Sequence, residues 1–349
     1  MVRNVFAGGN TPLGFYSYYD YITNNEKEGR LIILKGGPGV GKSTLIKKIA
    51  KLWREKYESI ELFRCSGDEE SYDGVYLPEN NIAVIDGTAP HTVDPKLPGL
   101  FDEIVNLGDF IDCENIKNHS KEIREIFAEK SACYKRAYLL LGNAKNYVDF
   151  EKEISKKLIN EKDIFSIAKS ILKDVKSIGK AYKGGRERKV FYKAITPVGV
   201  LDYKTETFNS TFFIQLDFKL KGMKSLVLNR LAKLLIMEGY EIESAFSPFS
   251  PLDRDSIYLP NLNVGIGNMD KCYNIYSKYE LECGKAKKEE KNLELIERNN
   301  LSINALVDET KKELEKAKNL HKQVENYYID SMNFDGINEV SKKLIERIV

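Results

Sequence analysis

Residues 31 to 44 constrain the fold more than any other stretch of this chain. Four apolar residues, Leu31-Ile32-Ile33-Leu34, run through Lys35 into a glycine-rich turn, Gly36-Gly37-Pro38-Gly39-Val40-Gly41-Lys42-Ser43-Thr44. From Gly36 to Ser43 the turn reads G-x-x-x-x-G-K-S, a P-loop pattern whose meaning depends on a strand before it and a helix after it. Both are predicted here. Leu45, Ile46, Ile49, Ala50, Leu52 and Trp53 fall on one face at helical spacing. Glycines let successive backbone N–H groups turn inward and ring a phosphate, a turn that side chains obstruct. The helix N-terminus adds partial positive charge at the same point. In such a loop Lys42 reaches the β- and γ-phosphates and the Ser43 hydroxyl holds Mg²⁺. ATP and Mg²⁺ are therefore the expected cofactors.

A second group of residues extends this reading. Asp86 ends the apolar run Ile82-Ala83-Val84-Ile85, where a P-loop protein places the carboxylate that holds Mg²⁺ largely through water. The alternative is a carboxylate that merely caps a strand end. Gly87 follows, so the glutamate base common in ATPases is missing and slow hydrolysis is expected. Asp68, in the acidic loop Gly67 to Tyr72, and His91 are the further catalytic candidates. Asp68 is otherwise a solvated loop carboxylate; His91 and Asp94 are otherwise loop-ordering residues. Arg64 is either a charge stabiliser or a surface residue.

The chain also repeats itself, which bears on its architecture. Tyr76-Leu77-Pro78 recurs as Tyr258-Leu259-Pro260, and Lys42-Ser43 recurs at the same offset as Lys224-Ser225. Upstream, Val5-Phe6 and Thr11-Pro12 recur as Val190-Phe191 and Thr196-Pro197; downstream, Ser155 to Ile159 matches Ser341 to Ile345. Two halves are predicted, residues 1–184 and 189–349, with a linker through Gly184-Gly185 and the basic stretch Arg186 to Lys189. In the second copy the cradle has become Asp217-Phe218-Lys219-Leu220-Lys221-Gly222-Met223-Lys224-Ser225, keeping one glycine. Asp86 corresponds to Asn268, Asp68 to Ser250 and Asp73 to Asp255; Thr88 to His91 has no counterpart in Asp270 to Tyr273. The second copy reads as a pseudo-site, Asp73 as a structural turn residue and Asp68 as the functional one.

Elsewhere, a helix is expected over Phe15 to Tyr21. The charged segments 102–160 and 274–348 are expected to form helical hairpins, either solvated or a docking arm for a protein partner. Lys and Arg number 54 against 52 Asp and Glu, for a net charge of +2, which argues against nucleic acid or an anionic membrane as partner. There is no long apolar run and no secretory h-region near Met1. Five scattered cysteines, none in C-x-x-C, fit a reducing cytoplasm.

With the P-loop, the Asp86-Gly87-Thr88-Ala89-Pro90-His91 stretch and the repeat in hand, the chain resembles the uncharacterised bacterial tandem P-loop ATP-binding proteins, loosely described as ATPases or nucleotide kinases. The resemblance implies nucleotide binding and a P-loop in both halves, and in the second this chain departs from it. The expected fold is α/β: tandem duplicated P-loop NTPase-like domains, each a small, mostly parallel sheet with a charged helical hairpin. The expected function is ATP hydrolysis or γ-phosphoryl transfer to an acceptor. The alternative is a nucleotide-gated interaction module with little turnover of its own.

Overall fold

The computed structural model describes residues 2–23, 29–181, 184–208, 212–269, 274–281 and 287–349. The first half runs β1 (Val2–Val5), β2 (Gly8–Thr11), β3 (Gly14–Ser17), β4 (Arg30–Lys35), α1 (Lys42–Lys56), β5 (Ile60–Arg64), β6 (Tyr72–Leu77), β7 (Ile82–Asp86), β8 (Asp102–Asn106), α2 (Cys113–Asn118), α3 (Ser120–Leu158) and α4 (Glu161–Ile178). The second runs β9 (Arg186–Val190), β10 (Lys193–Thr196), β11 (Gly199–Asp202), α5 (Lys204–Phe208), β12 (Phe212–Phe218), α6 (Lys221–Met237), β13 (Glu241–Ser247), β14 (Ser250–Leu259), β15 (Val264–Gly267), β16 (Ile275–Leu281), α7 (Lys287–Ile329) and α8 (Phe334–Ile348).

Two six-stranded mixed sheets carry the fold, ordered β1-β5-β6-β7-β4-β8 and β9-β13-β14-β15-β12-β16. Strand directions match pair by pair: only the strands beside β6 and beside β14 run antiparallel to them. Registers match as well. Leu31 lies opposite Ala83, and Phe213 lies opposite Gly265, the two positions that the repeat makes their counterparts. Side chains alternate across a strand, so each sheet has two faces to cover. Ile32 and Leu34 pack outward on α1, while Ile33, Phe63, Tyr76 and Ile85 meet Tyr192, Phe213, Ala245 and Tyr258 of the other sheet in a shared core.

That shared core holds a charged ring. Arg3 pairs with Glu61 at 2.7 Å and with Glu243; Arg188 pairs with Glu61 at 2.6 Å and with Glu243 at 2.9 Å. The Tyr192 hydroxyl also donates to Glu243, and each guanidinium sits over a tyrosine of the opposite half, Arg3 on Tyr258 and Arg188 on Tyr76. Against the cost of burial, Arg188 and Arg3 hold the Glu61 carboxyl below its ordinary value.

Several expectations change here. Phe15 to Tyr21 is no helix but β3 and a single 3₁₀ turn, Tyr19–Tyr21. The Thr11 hydroxyl bonds the Gly14 carbonyl at 2.8 Å, with Gly14 at φ +91, closing a β2–β3 hairpin. Thr196 and Gly199 repeat this at β10–β11, and the two hairpins join in one four-stranded sheet. Arg186 to Lys189 is not a linker: it is β9, paired in parallel with β13. Asp73 lies within β6 rather than in a turn. The contrast drawn with Asp270 to Tyr273 falls outside the described residues.

The helical hairpins, one per half, are also corrected. α3 and α7 are each one continuous helix, of 39 and 43 residues. They pair with each other in antiparallel fashion, through Lys130 to His321 and Arg136 to Glu313, and Asn115 of α2 donates to the Ser331 hydroxyl just beyond α7. Neither segment contains a proline to turn it, and the apolar stripe of each, Ala137, Leu141 and Leu314 among it, is buried against the other and Ile195. The long helices carry their successors across. α4 packs Ile164, Ala168, Ile171 and Val175 on the second sheet with α6, and α8 packs Ile337, Leu344 and Ile348 on the first sheet with α1. The Trp53 indole N–H donates to the Ile348 carbonyl at 3.1 Å. Asn160 caps α4 and Asn333 caps α8, each side chain accepting from the N–H three positions on. Aligned on these caps, Ser155 to Ile159 falls beside Tyr328 to Met332. Its match to Ser341 to Ile345 therefore pairs the end of α3 with the middle of α8 and is not a structural equivalence.

Candidate nucleotide site

β4 delivers the glycine turn to the N-terminus of α1. Gly36, Gly39 and Gly41 all have positive φ, at +141, +73 and +88, a backbone that other residues rarely adopt. Lys42 is buried and folds back over the loop, its Nζ donating to the Gly36 carbonyl at 2.9 Å and the Gly37 carbonyl at 2.7 Å. Asp86, at the end of the neighbouring β7, places Oδ2 3.7 Å from that ammonium. Its other oxygen accepts from the Thr88 N–H and hydroxyl at 2.9 and 2.5 Å, which fixes the carboxylate. The Ser43 hydroxyl, in the first turn of α1, accepts from the Tyr72 N–H at 3.1 Å. Pro38 and Val40 complete the loop, Val40 buried beneath it, while Thr44 faces outward.

These residues fit a magnesium nucleotide. No cluster of three or more His, Cys, Asp or Glu that could hold a metal occurs among the described residues. A single hydroxyl and a single carboxylate suit Mg²⁺, which keeps waters and phosphate oxygens as its other ligands. Bound there, the ion would be held by Ser43 and Asp86 and would offset phosphate charge.

The other candidates are placed differently. Asp68 is tied down, by the Ser71 hydroxyl at 2.5 Å and by Lys318 of α7 at 2.7 Å; against burial, these partners hold its carboxyl below the usual range. His91 is buried in a cluster under the strand ends. Its ring stacks on Tyr19 at 5.2 Å, its Nε2 lies 3.7 Å from Asp73, and its Nδ1 has no partner. Burial pushes the Asp73 carboxyl up, with Asp86 nearby adding to it. Asp94 is exposed and 3.5 Å from Lys35, whose Nζ also donates to the Gly87 and Val93 carbonyls. Arg64 donates to the Glu69 carbonyl and covers the Tyr72 ring. Gly87 has a packing reason: a Cβ there would run into Ile33 Cγ2.

Sequence reasoning missed the contribution of α7, which sits on the loop although it belongs to the far end of the chain. A Cβ on Gly37 would come within 2.5 Å of the Tyr328 ring, and one on Gly39 within 2.8 Å of the Glu325 carbonyl. Lys318, His321 and Glu325 follow one another along the same helix face, and Lys130 of α3 reaches His321 Nδ1 at 3.1 Å. Burial, with Lys130 and Lys42 close by, pushes the His321 imidazole down to about 4. Nothing local in the sequence marks these residues, because Lys and Glu at helix spacing read as a solvated face.

Gly39→Ala tests the contact. The left-handed backbone alone costs an alanine about 1–2 kcal/mol, and the clash with Glu325 adds to it. Chemical denaturation is expected to show a loss larger than that; a loss no larger than the backbone cost would mean that α7 does not rest on the loop.

The second half keeps the frame and fills the cradle. The Lys221 N–H, at the start of α6, donates to Glu151 Oε1 of α3 at 2.5 Å, and Glu151 is buried. Lys224 is turned to Asp255 at 2.6 Å. Against burial, Lys224, Lys204 and Lys193 hold that carboxyl well below the usual range.

A glycine cradle between strand and helix, a lysine folded over it and an aspartate at the next strand end define a P-loop NTPase site. The chain matches the KAP family P-loop domain across residues 15–326 and belongs to that family. It is a nucleotide-binding P-loop protein, and no helix among the described residues is long and apolar enough to cross a membrane. No curated protein and no solved structure matched it.

Proposed function

We propose that the chain binds Mg-ATP at Gly36 to Thr44 and hydrolyses it or passes the γ-phosphoryl group to an acceptor. On this reading it is a tandem duplication, with domains 1–184 and 189–349, in which only the first half binds nucleotide. The observation that carries it is the contrast between the two loops: one keeps its left-handed glycines with Lys42 folded over them, while in the other the first N–H of the helix is taken by Glu151. The matching strand order and registers support the duplication. Three free thiols among the described cysteines accord with a reducing cytoplasm.

Phosphoryl transfer depends mostly on positioning and charge stabilisation. Lys42 supplies the charge beside the β- and γ-phosphates, and Ser43 and Asp86 hold the ion. The test is a nucleotide-binding screen followed by product analysis with γ-labelled ATP. Asp86→Asn, which copies Asn268 of the second half, is expected to abolish Mg²⁺-dependent turnover with an unchanged thermal melt. Unchanged turnover would remove Asp86 from the site, and a collapsed melt would make it structural.

The second reading, a nucleotide-gated interaction module, draws on α7. That helix runs from the second sheet, where Ile296 is buried, to the P-loop, and with α3 it exposes Leu139 and Leu301 at 71% each. Tight binding with negligible turnover would favour this reading.

A further inference from the structure

Gly87 stands where many ATPases carry a glutamate, and Ile33 leaves no room there for a side chain. Hydrolysis still needs a group to orient water and take its proton. Asp86 is engaged with Thr88 and faces Lys42, Asp68 is engaged with Ser71 and Lys318, and His91 lies in its own buried cluster. Asp73 is buried beside His91 and Asp94 stands exposed against Lys35; among the described residues, α7 brings a further carboxylate, Glu325, to the loop. Its backbone rests on Gly39, its Oε1 lies 3.6 Å from His321 Nε2, and His321 is in turn oriented by Lys130 at 3.1 Å. Its side chain keeps about a third of its surface open. Burial, with Asp68 nearby, pushes the Glu325 carboxyl above the usual range, which suits a group that accepts a proton at neutral pH.

The second half supplies a comparison. Lys152 of α3 stands as far before the helix cap Asn160 as Glu325 stands before Asn333. The Lys152 Cα would lie 2.9 Å from a Cβ on Gly222, much as the Glu325 carbonyl would lie 2.8 Å from one on Gly39. Beside the loop that has lost its glycines, this position carries a lysine paired with Asp253; beside the loop that keeps them, it carries a carboxylate.

We infer that Glu325, delivered from the second half by α7, is the proton acceptor for hydrolysis at the P-loop of the first half. The inference rests on the hydrolytic form of the proposed function. In the step, a water oxygen bonds to the γ-phosphorus and the bond from that phosphorus to the β,γ-bridging oxygen breaks. ADP leaves with the electron pair, and the water proton passes to the Glu325 carboxylate and then to solvent. His321, itself oriented by Lys130, stands beside that carboxylate. The first half therefore has an incomplete site without the second.

Glu325→Gln keeps the shape and removes the base, so the melt should not move. Steady-state hydrolysis of Mg-ATP by the full chain is expected to fall at least about 100-fold, the scale of one general base. Binding of a fluorescent ATP analogue should be as tight as in the wild type or tighter. Glu325→Asp should recover part of the rate, and Glu315→Gln, on the exposed side of α7, should change nothing. An active wild type with a Glu325→Gln rate within about two-fold of it would overturn the assignment of Glu325 and leave the hydrolytic reading standing. A wild type that binds ATP without releasing phosphate would overturn both.

Discussion

Glu61→Ala is expected to destabilise the protein by about 3–5 kcal/mol, the usual loss when one partner of a buried ion pair is removed. Arg3 and Arg188 would then share the single carboxylate of Glu243, leaving one positive charge uncompensated between the two sheets. The effect should be visible as a shift in the urea midpoint at constant slope. A change below about 1 kcal/mol would mean that water or relaxation compensates the ring. The pH dependence has a definite sign. The Glu61 carboxyl is held below 4.5, so its stabilisation is complete above that value. It is lost as the pH falls through the lower value of the folded state. The difference between wild type and Glu61→Ala should therefore shrink in strong acid and stay constant around neutral pH.

Lys42→Ala is expected to weaken ATP binding by on the order of ten-fold or more, because it removes the charge-assisted contact to the phosphates. Lys224→Ala should leave nucleotide affinity unchanged, since Lys224 is committed to Asp255 and Glu151 occupies the loop beside it. It should instead lower stability, by leaving Asp255 with more distant lysines at 3.5 and 3.8 Å. Calorimetric titration beside a thermal melt separates the two effects. Equal losses of affinity from both changes would mean that the second loop binds nucleotide after all.

Sequence made legible whatever depended on contiguous residues. The P-loop with its strand and helix, the Ile82–Asp86 strand and the equivalence of β4 with β12 all rest on local chemistry or on a local match. The hairpins at Thr11 and Thr196 were equally local, but aromatic residues from Phe15 to Tyr21 masked an alternating strand. β8, in a segment expected to be helical, was hidden because a charged edge strand, with Glu103 half-buried and Ile104 exposed, lacks a buried face on both sides. What lay beyond the sequence was the destination of each long helix. Amphipathic spacing reports that a face is buried, not against which partner, so α4 and α8 gave no sign of leaving their own halves. The same holds at the site, where Glu325 meets Gly39 only because α7 crosses over.

The crossing of α8 has a consequence for how the chain is made. Trp53 and the Ile348 carbonyl are 295 residues apart, and the outer face of the first sheet, from Ile32 to Val105, is capped by Ile337, Leu344 and Ile348. During synthesis at about 5–20 residues per second, that face emerges early and waits on the order of 15–60 seconds for its cover. The nascent first half thus presents a bare apolar surface until α8 has been made. Emergence of α8, rather than completion of the first half, therefore sets the moment at which that face is covered.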